Sequence, residues 1–257
     1  MARRRGKRYR NAIEQIDRTT HYPPAEAVAL VKQSAATKFD ETVEVHMRLG
    51  VNVRHAEEQL RGTLALPNGL GKAVSVAVFA EGDAARAAEE AGADVVGAQD
   101  LAARVEDGWM DFDIAISTPA LMGPVVSKLG RVLGPQGKMP NPKVGTVTDD
   151  VGRAVAEAKA GKVEYRTDRQ GNIHLTIGKA SFPDRALLEN YAAVVDEIVR
   201  AKPAAAKGRY LLSITLAPTM GPGVRVDESR TREAEILAGV AASAGDGADA
   251  EAEPATA

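Results

Sequence analysis

The amino-acid sequence predicts an α/β protein in which one domain is inserted into another, and three observations carry the prediction. Thr42 to Leu49 alternates strictly: Thr42, Glu44, His46 and Arg48 point one way, Val43, Val45, Met47 and Leu49 the other. A period of two describes a half-buried strand, apolar on one face and wet on the other. Far along the chain, Arg209 to Leu216 reads as a strand able to pair with it. Between the two the pattern changes, and near-continuous apolar runs alternate with helical stretches, as in a doubly wound parallel sheet. If the two outer strands are neighbours, residues 1–69 and 161–232 build one discontinuous domain, 70–160 form the inserted one, and 233–257 remain as a tail.

The elements follow in order. Tyr9 to Ile16 predicts a helix. Pro23-Pro24 opens a second, because proline is tolerated in a helix's first turn; Val28, Val31 and Ala35 share one face of it. Arg54 to Leu60 reads as a short helix and Gly62 to Leu66 as a short strand. After the break at Pro67 to Gly71 come the strand Val74 to Phe79, the helix Ala84 to Ala91, the strand Ala93 to Val96 and the helix Leu101 to Val105. Asp113 to Ser117 is the third strand, Pro119 to Leu129 the third helix, and Val151 to Lys159 a helix capped by Thr146 to Asp150. Val163 to Arg166 and Asn172 to Ile177 flank Asp168-Arg169-Gln170-Gly171, read as a hairpin loop. Ser181-Phe182-Pro183-Asp184 opens a helix to Arg200, and Val224 to Val226 follows the closing strand. From Glu233 the chain is dominated by Ala, Gly, Asp and Glu and has no aromatic residue, which predicts a disordered acidic tail.

Composition narrows the function. With no cysteine there is no disulfide framework and no thiol or zinc-thiolate chemistry. The basic opening has no apolar run after it and no window approaches a membrane span, so the expectation is a cytosolic protein without a membrane partner. A net charge of −2 hides an asymmetry. Residues 1–10 hold six Lys/Arg and no acid, and residues 233–257 six Asp/Glu and no base. The outer domain with its arm carries 24 basic against 16 acidic residues; the inserted one carries nine against thirteen. A basic outer domain predicts a polyanion partner.

Enzyme chemistry finds no framework. His21, His46, His55 and His174 are scattered, with no spacing for metal. In Gly134-Pro135-Gln136-Gly137-Lys138 a phosphate loop would need Gly where Val132 stands and Ser or Thr where Met139 stands. Ala80-Glu81-Gly82-Asp83 places two acids where a pyrophosphate would sit. No cofactor and no small-molecule substrate are expected. The stretch Gly130 to Gly145, with Arg131, Lys138 and Lys143, three prolines and no acid, reads equally as a long surface loop or a polyanion contact. The polar strand face and the turn Thr219-Met220-Gly221 offer hydroxyl, carboxylate, imidazole and backbone donors. Such groups suit 2′-hydroxyls and base edges, or merely a solvated sheet face, and the residues alone leave both open.

Phe39-Asp40-Glu41-Thr42-Val43-Glu44-Val45, Gly108-Trp109-Met110-Asp111-Phe112-Asp113, Lys128 to Pro135, Met139-Pro140-Asn141-Pro142-Lys143, Gly178-Lys179-Ala180-Ser181-Phe182 and Thr219-Met220-Gly221-Pro222 together resemble the bacterial ribosomal protein L-one family, from about Gly6 to Val226. That resemblance implies an outer antiparallel sheet with helices on one side, an inserted Rossmann-like βαβ domain, and no enzyme activity. It implies binding to large-subunit rRNA at the mobile stalk, help in releasing deacylated tRNA from the exit site, and repression of the protein's own operon through its mRNA. By the same resemblance the RNA contacts fall on Lys38, Phe39, Thr42, Glu44, His46, Arg166, Asp168, Arg169, His174, Thr219, Met220 and Gly221, with secondary contacts at Arg131, Lys138 and Lys143. Phe39 is expected to support the patch by packing, and Gly221 to let RNA approach the backbone. Two positions depart from the family pattern: Gln136 stands in place of an arginine, and Lys138 in place of an aliphatic residue.

Overall fold

A computed structural model of the protein describes residues 6–230; the first five residues of the basic arm and the acidic tail, 233–257, lie outside the described residues. The chain divides into two compact units. One takes in the chain up to Leu60, Leu66–Gly71 and the chain from Tyr165 onward; the other takes in Arg61–Ala65 and Lys72–Glu164.

The first unit is built on β1 (Thr42–Leu49), with β7 (Asn172–Lys179), β8 (Leu211–Pro218) and β9 (Val224–Val226), in the spatial order β7-β1-β8-β9. All three pairings are antiparallel, and the register sets His46 opposite His174 on one side and Thr215 on the other. The alternation read from the sequence becomes two faces. Val43, Val45, Met47 and Leu49 are buried with Ile173, Leu175, Ile177, Ile214 and Leu216. Two helices, α2 (Pro24–Ser34) and α8 (Asp184–Arg200), cover that face through Ala27, Val28, Val31, Leu187, Tyr191 and Val195. The short α1 (Lys7–Glu14) buries no residue. Fully burying an aliphatic side chain of this size contributes about 1.5–3 kcal/mol, so this layer is the unit's main source of stability.

In the second unit β3 (Val76–Phe79) lies between β4 (Val95–Gly97) and β5 (Ile114–Ser117), all parallel. Both faces are covered, which is why the run is apolar throughout. Val76 and Val78 pack with Ala88 of α3 (Asp83–Glu90) and Val151 and Val155 of α7 (Val151–Lys159). Ala77 and Phe79 pack with Leu101 and Val105 of α4 (Gln99–Glu106), and with Leu129 and Leu133. Asp150 caps α7 by accepting from the Arg153 N–H. No described helix is long and apolar enough to cross a membrane.

Several elements differ from expectation. The helix predicted over Pro119 to Leu129 is three short pieces: α5 (Pro119–Met122), a 3-10 turn Val126–Leu129 and α6 (Gly130–Leu133). Pro124 interrupts it, because proline lacks the N–H that would continue the helical bonding. Arg54 to Leu60 supplies only a 3-10 turn, Ala56–Glu58. The stretch from Gly130 is not an open loop, since Leu133 and Pro140 are buried. Nor is Asp168 to Gly171 a hairpin: β6 (Lys162–Arg166) pairs with β2 (Arg61–Ala65), not with β7. Thr167 donates both its N–H and its hydroxyl to the Leu60 carbonyl, which draws the chain back to the start of β2 before it turns into the main sheet. The β2 strand and residues 162–164 therefore go with the second unit, β2 packing beside the Pro142–Val144 turn.

One buried polar side chain ties the Leu66–Gly71 segment into the first unit. Asn190, fully buried, accepts from the Asn68 N–H at 3.0 Å and donates to the carbonyls of Gly69 and Ile177 at 3.1 and 2.7 Å. A buried backbone group left without a partner costs about 1–3 kcal/mol. We therefore expect Asn190→Leu, which leaves the buried Ile177 carbonyl unpaired, to lose about 1–3 kcal/mol in urea denaturation; an unchanged stability would show these bonds to be incidental.

Candidate nucleic-acid interface

Helices cover the apolar face of the four-stranded sheet, so its other face is left to solvent. Thr42, Glu44 and His46 are half-buried on it and Arg48 is exposed. They stand beside Thr176 and His174 of β7 and Thr215 and Ala217 of β8. Most of the predicted contact residues gather along this face and at its two ends, which the length of β1 sets roughly 20 Å apart.

At the Thr42 end, the Thr219 hydroxyl accepts from the Thr42 N–H at 3.0 Å and donates to the Thr42 carbonyl at 3.2 Å. The Lys179 ammonium donates to the Thr42 hydroxyl at 2.8 Å. Glu41, which the sequence reading passed over, is 1% exposed. Its carboxylate accepts from the Met220 N–H at 2.8 Å and from the Thr37 N–H at 3.2 Å, tying the closing turn to the loop before β1. Bonds to an ionised acceptor are the strong ones, and they hold both loops in place. The signal was present: run one step back, the alternation of Val43, Val45 and Met47 puts residue 41 on the inward face.

Two expectations for this end are corrected. Phe39 does not pack beneath the patch; it is 55% exposed, as Met220 is 54% exposed. They are two of the four large hydrophobic side chains left open among the described residues, the others being Val199 and Leu212. Gly221 is required for internal packing. A Cβ there would meet Pro218 Cγ at 2.5 Å and the Ser34 hydroxyl at 3.0 Å. Lys38 is exposed beside Phe39.

Midway along the face, His46 Nδ1 and His174 Nδ1 are 2.9 Å apart, one donating and the other accepting. Glu44 lies 3.7 Å from His46 Nε2, and Asp168 lies 3.7 Å from His174 Nε2. Burial lowers the His46 pKa below 6.5, the neighbouring His174 lowers it further, and Glu44 works against both. At the other end the Asp168 turn is braced on itself. Its carboxylate accepts from the N–H groups of Gln170 and Asn172 at 2.8 and 2.7 Å and from the Asn172 side chain at 2.9 Å. Burial acts to raise the Asp168 pKa, but these bonds prevail and hold it below the usual carboxylate value. Gly171, at φ +78°, closes the turn, and Arg166 and Arg169 project from it, exposed.

The secondary residues lie in the second unit. Arg131 is exposed on α6. Lys138 turns inward: its ammonium donates to the carbonyls of Met110 and Phe112 at 3.0 and 2.5 Å and lies over the Phe112 ring. Lys143 belongs to the Pro142–Val144 turn, and its side chain lies outside the described structure.

Two expectations follow from this geometry. Gly221→Val should destabilise the protein by about 1–3 kcal/mol, the usual cost of forcing methyl groups into packed space, and an unchanged melting curve would contradict the packing assigned to Gly221. For His46, the folded chain binds fewer protons than the unfolded chain just below pH 6.5. Its contribution to stability is therefore complete above that pH and is lost as the pH falls through the folded pKa. The His46 ring should titrate below 6.5 by NMR, and His46→Gln should remove that share of the acid sensitivity; a midpoint at or above 6.5 would contradict it.

Residues 31–222 match the model of the ribosomal protein L1p/L10e family. Over 231 residues the chain is 58% identical to the large ribosomal subunit protein uL1 of Thermobifida fusca (strain YX), covering 90% of this chain and 98% of that protein. The chain belongs to the ribosomal protein L1p/L10e family.

Proposed function

We propose that the protein is a structural constituent of the large ribosomal subunit, in the cytoplasm, and binds large-subunit rRNA of the mobile stalk. The polar face of the four-stranded sheet and the loops at its two ends are the contact surface. The observation that carries this reading is the pair Phe39 and Met220, both held open to solvent on loops pinned together by the buried Glu41. An exposed aromatic ring and a soft thioether on a preorganised, polar-rimmed edge suit unstacked bases and riboses. Little loop entropy remains to be lost on binding. Lys38, Arg166 and Arg169 add phosphate contacts at the two ends.

Two further roles rest on the family resemblance. The protein assists release of deacylated tRNA from the exit site, and it represses its own operon by binding the mRNA. An mRNA regulator would use the surface that rRNA occupies, so rRNA and operon mRNA should compete for one site.

A binding assay with a stalk rRNA fragment and a scrambled control tests the proposal. If about three to five cations neutralise phosphate, log K should fall against log salt with a slope of roughly −2 to −5. Arg166→Ala and Arg169→Ala should each flatten that slope, whereas Phe39→Ala should weaken binding about tenfold without changing it. Equal affinity for the scrambled RNA, or a flat salt dependence, would overturn the reading.

A further inference from the structure

At the Arg48 end of the sheet a cleft of about 250 Å³ opens between two segments, one carrying Arg54 and Gln59, the other Arg166, Thr167, Asp168 and Arg169. Three guanidinium-bearing side chains thus line one concavity, and all three residues are exposed. Among the described residues none of the three forms an ion pair, although Arg61, Arg153, Arg185 and Arg209 all do. The one acid in the lining, Asp168, is already occupied by two backbone N–H groups and the Asn172 amide.

The walls are built before any ligand arrives. Glu58 accepts from the Asn52 N–H at 2.7 Å, Gln59 donates its amide to the Val53 carbonyl at 2.9 Å, and the Asn52 side chain accepts from the Arg54 N–H at 3.2 Å. Thr167 then joins the two segments through Leu60. Three guanidinium groups against one carboxylate leave the lining with an excess of positive charge, which favours an anion. Guanidinium groups form paired hydrogen bonds with phosphate oxygens, and the cleft is roomy enough for a phosphodiester.

We propose that this cleft binds a phosphodiester of the RNA backbone, and that Arg54 is its third arm. The inference rests on the RNA-binding reading and adds to it a residue and a second anchor. The cleft and the Phe39–Met220 end lie at opposite ends of β1, so no mononucleotide reaches both, and a polynucleotide laid along the sheet face engages both at once.

The test uses the full chain. Arg54→Gln should weaken binding of the stalk rRNA fragment about tenfold at 0.1 M salt and reduce the salt slope by about one. Arg54→Lys should keep the slope but recover only part of the affinity, because a point charge cannot donate the paired bonds. Separately, inorganic phosphate followed by amide NMR should shift the Thr167 and Arg169 signals in the wild type and not in Arg54→Gln. An affinity and slope for Arg54→Gln equal to wild type would overturn the proposal while leaving the RNA reading intact. If the wild type fails to prefer the fragment over scrambled RNA, the RNA reading falls, and the phosphate titration decides the cleft alone: shifts lost in Arg54→Gln uphold an anion site, and absent shifts remove it.

Discussion

The position of β1 between β7 and β8 is the constraint on which the rest depends. A strand taken from the early part of the chain is paired on both edges by strands from the late part, antiparallel each time. That pairing brings the two ends of the chain into one sheet and leaves the intervening residues to fold as a separate unit. It also divides labour between the faces. Because β1 alternates without a break, one face is a continuous apolar layer for α2 and α8, and the other is left polar and uncovered. A single-residue slip in register would exchange the two faces, so the hydrophobic pattern that stabilises the fold also aims the candidate binding surface.

Glu41 shows how the fold and the surface are coupled. A carboxylate buried at the mouth of a strand is costly unless its oxygens are satisfied. Here they are satisfied by backbone N–H groups from two loops that are far apart in sequence. The need to pair the buried charge thereby holds Thr37 and Met220 in fixed relation, and Phe39 and Met220 are presented together. Thr219 adds a second tie, bonding both backbone groups of Thr42. The turn that looked like a set of free donors is largely engaged within the protein, and what it leaves open is shape and apolar surface more than hydroxyls.

Much of this was legible in the sequence where the signal is periodic. Alternation identified β1 and its apolar partners, and the continuous run at Val76–Phe79 announced a strand covered on both sides. What escaped depends on partners distant along the chain. Nothing local to Lys162–Arg166 says that it pairs with β2 rather than β7. The inward turn of Lys138 depends on two carbonyls about 26–28 residues earlier. Gly221 looked like a backbone opened for RNA because Pro218 and Ser34, which fill the space, are invisible from the turn alone. Arg54 passed as one more charge on a short helical stretch, since only the fold sets it opposite Arg166 and Arg169. By contrast Glu41 could have been read from the parity of β1.

The central claim is that RNA lies on the uncovered face of this sheet and is gripped at both ends of β1. Hydrogen exchange of the full chain, with and without a stalk rRNA fragment, tests it most directly. The account predicts new protection confined to the segments around Thr37–His46, Val53–Gln59, Arg166–Thr176 and Thr215–Gly221, with the amides of α3 and α4 unchanged. Protection appearing on those helices while the three sheet segments exchange as before would contradict it.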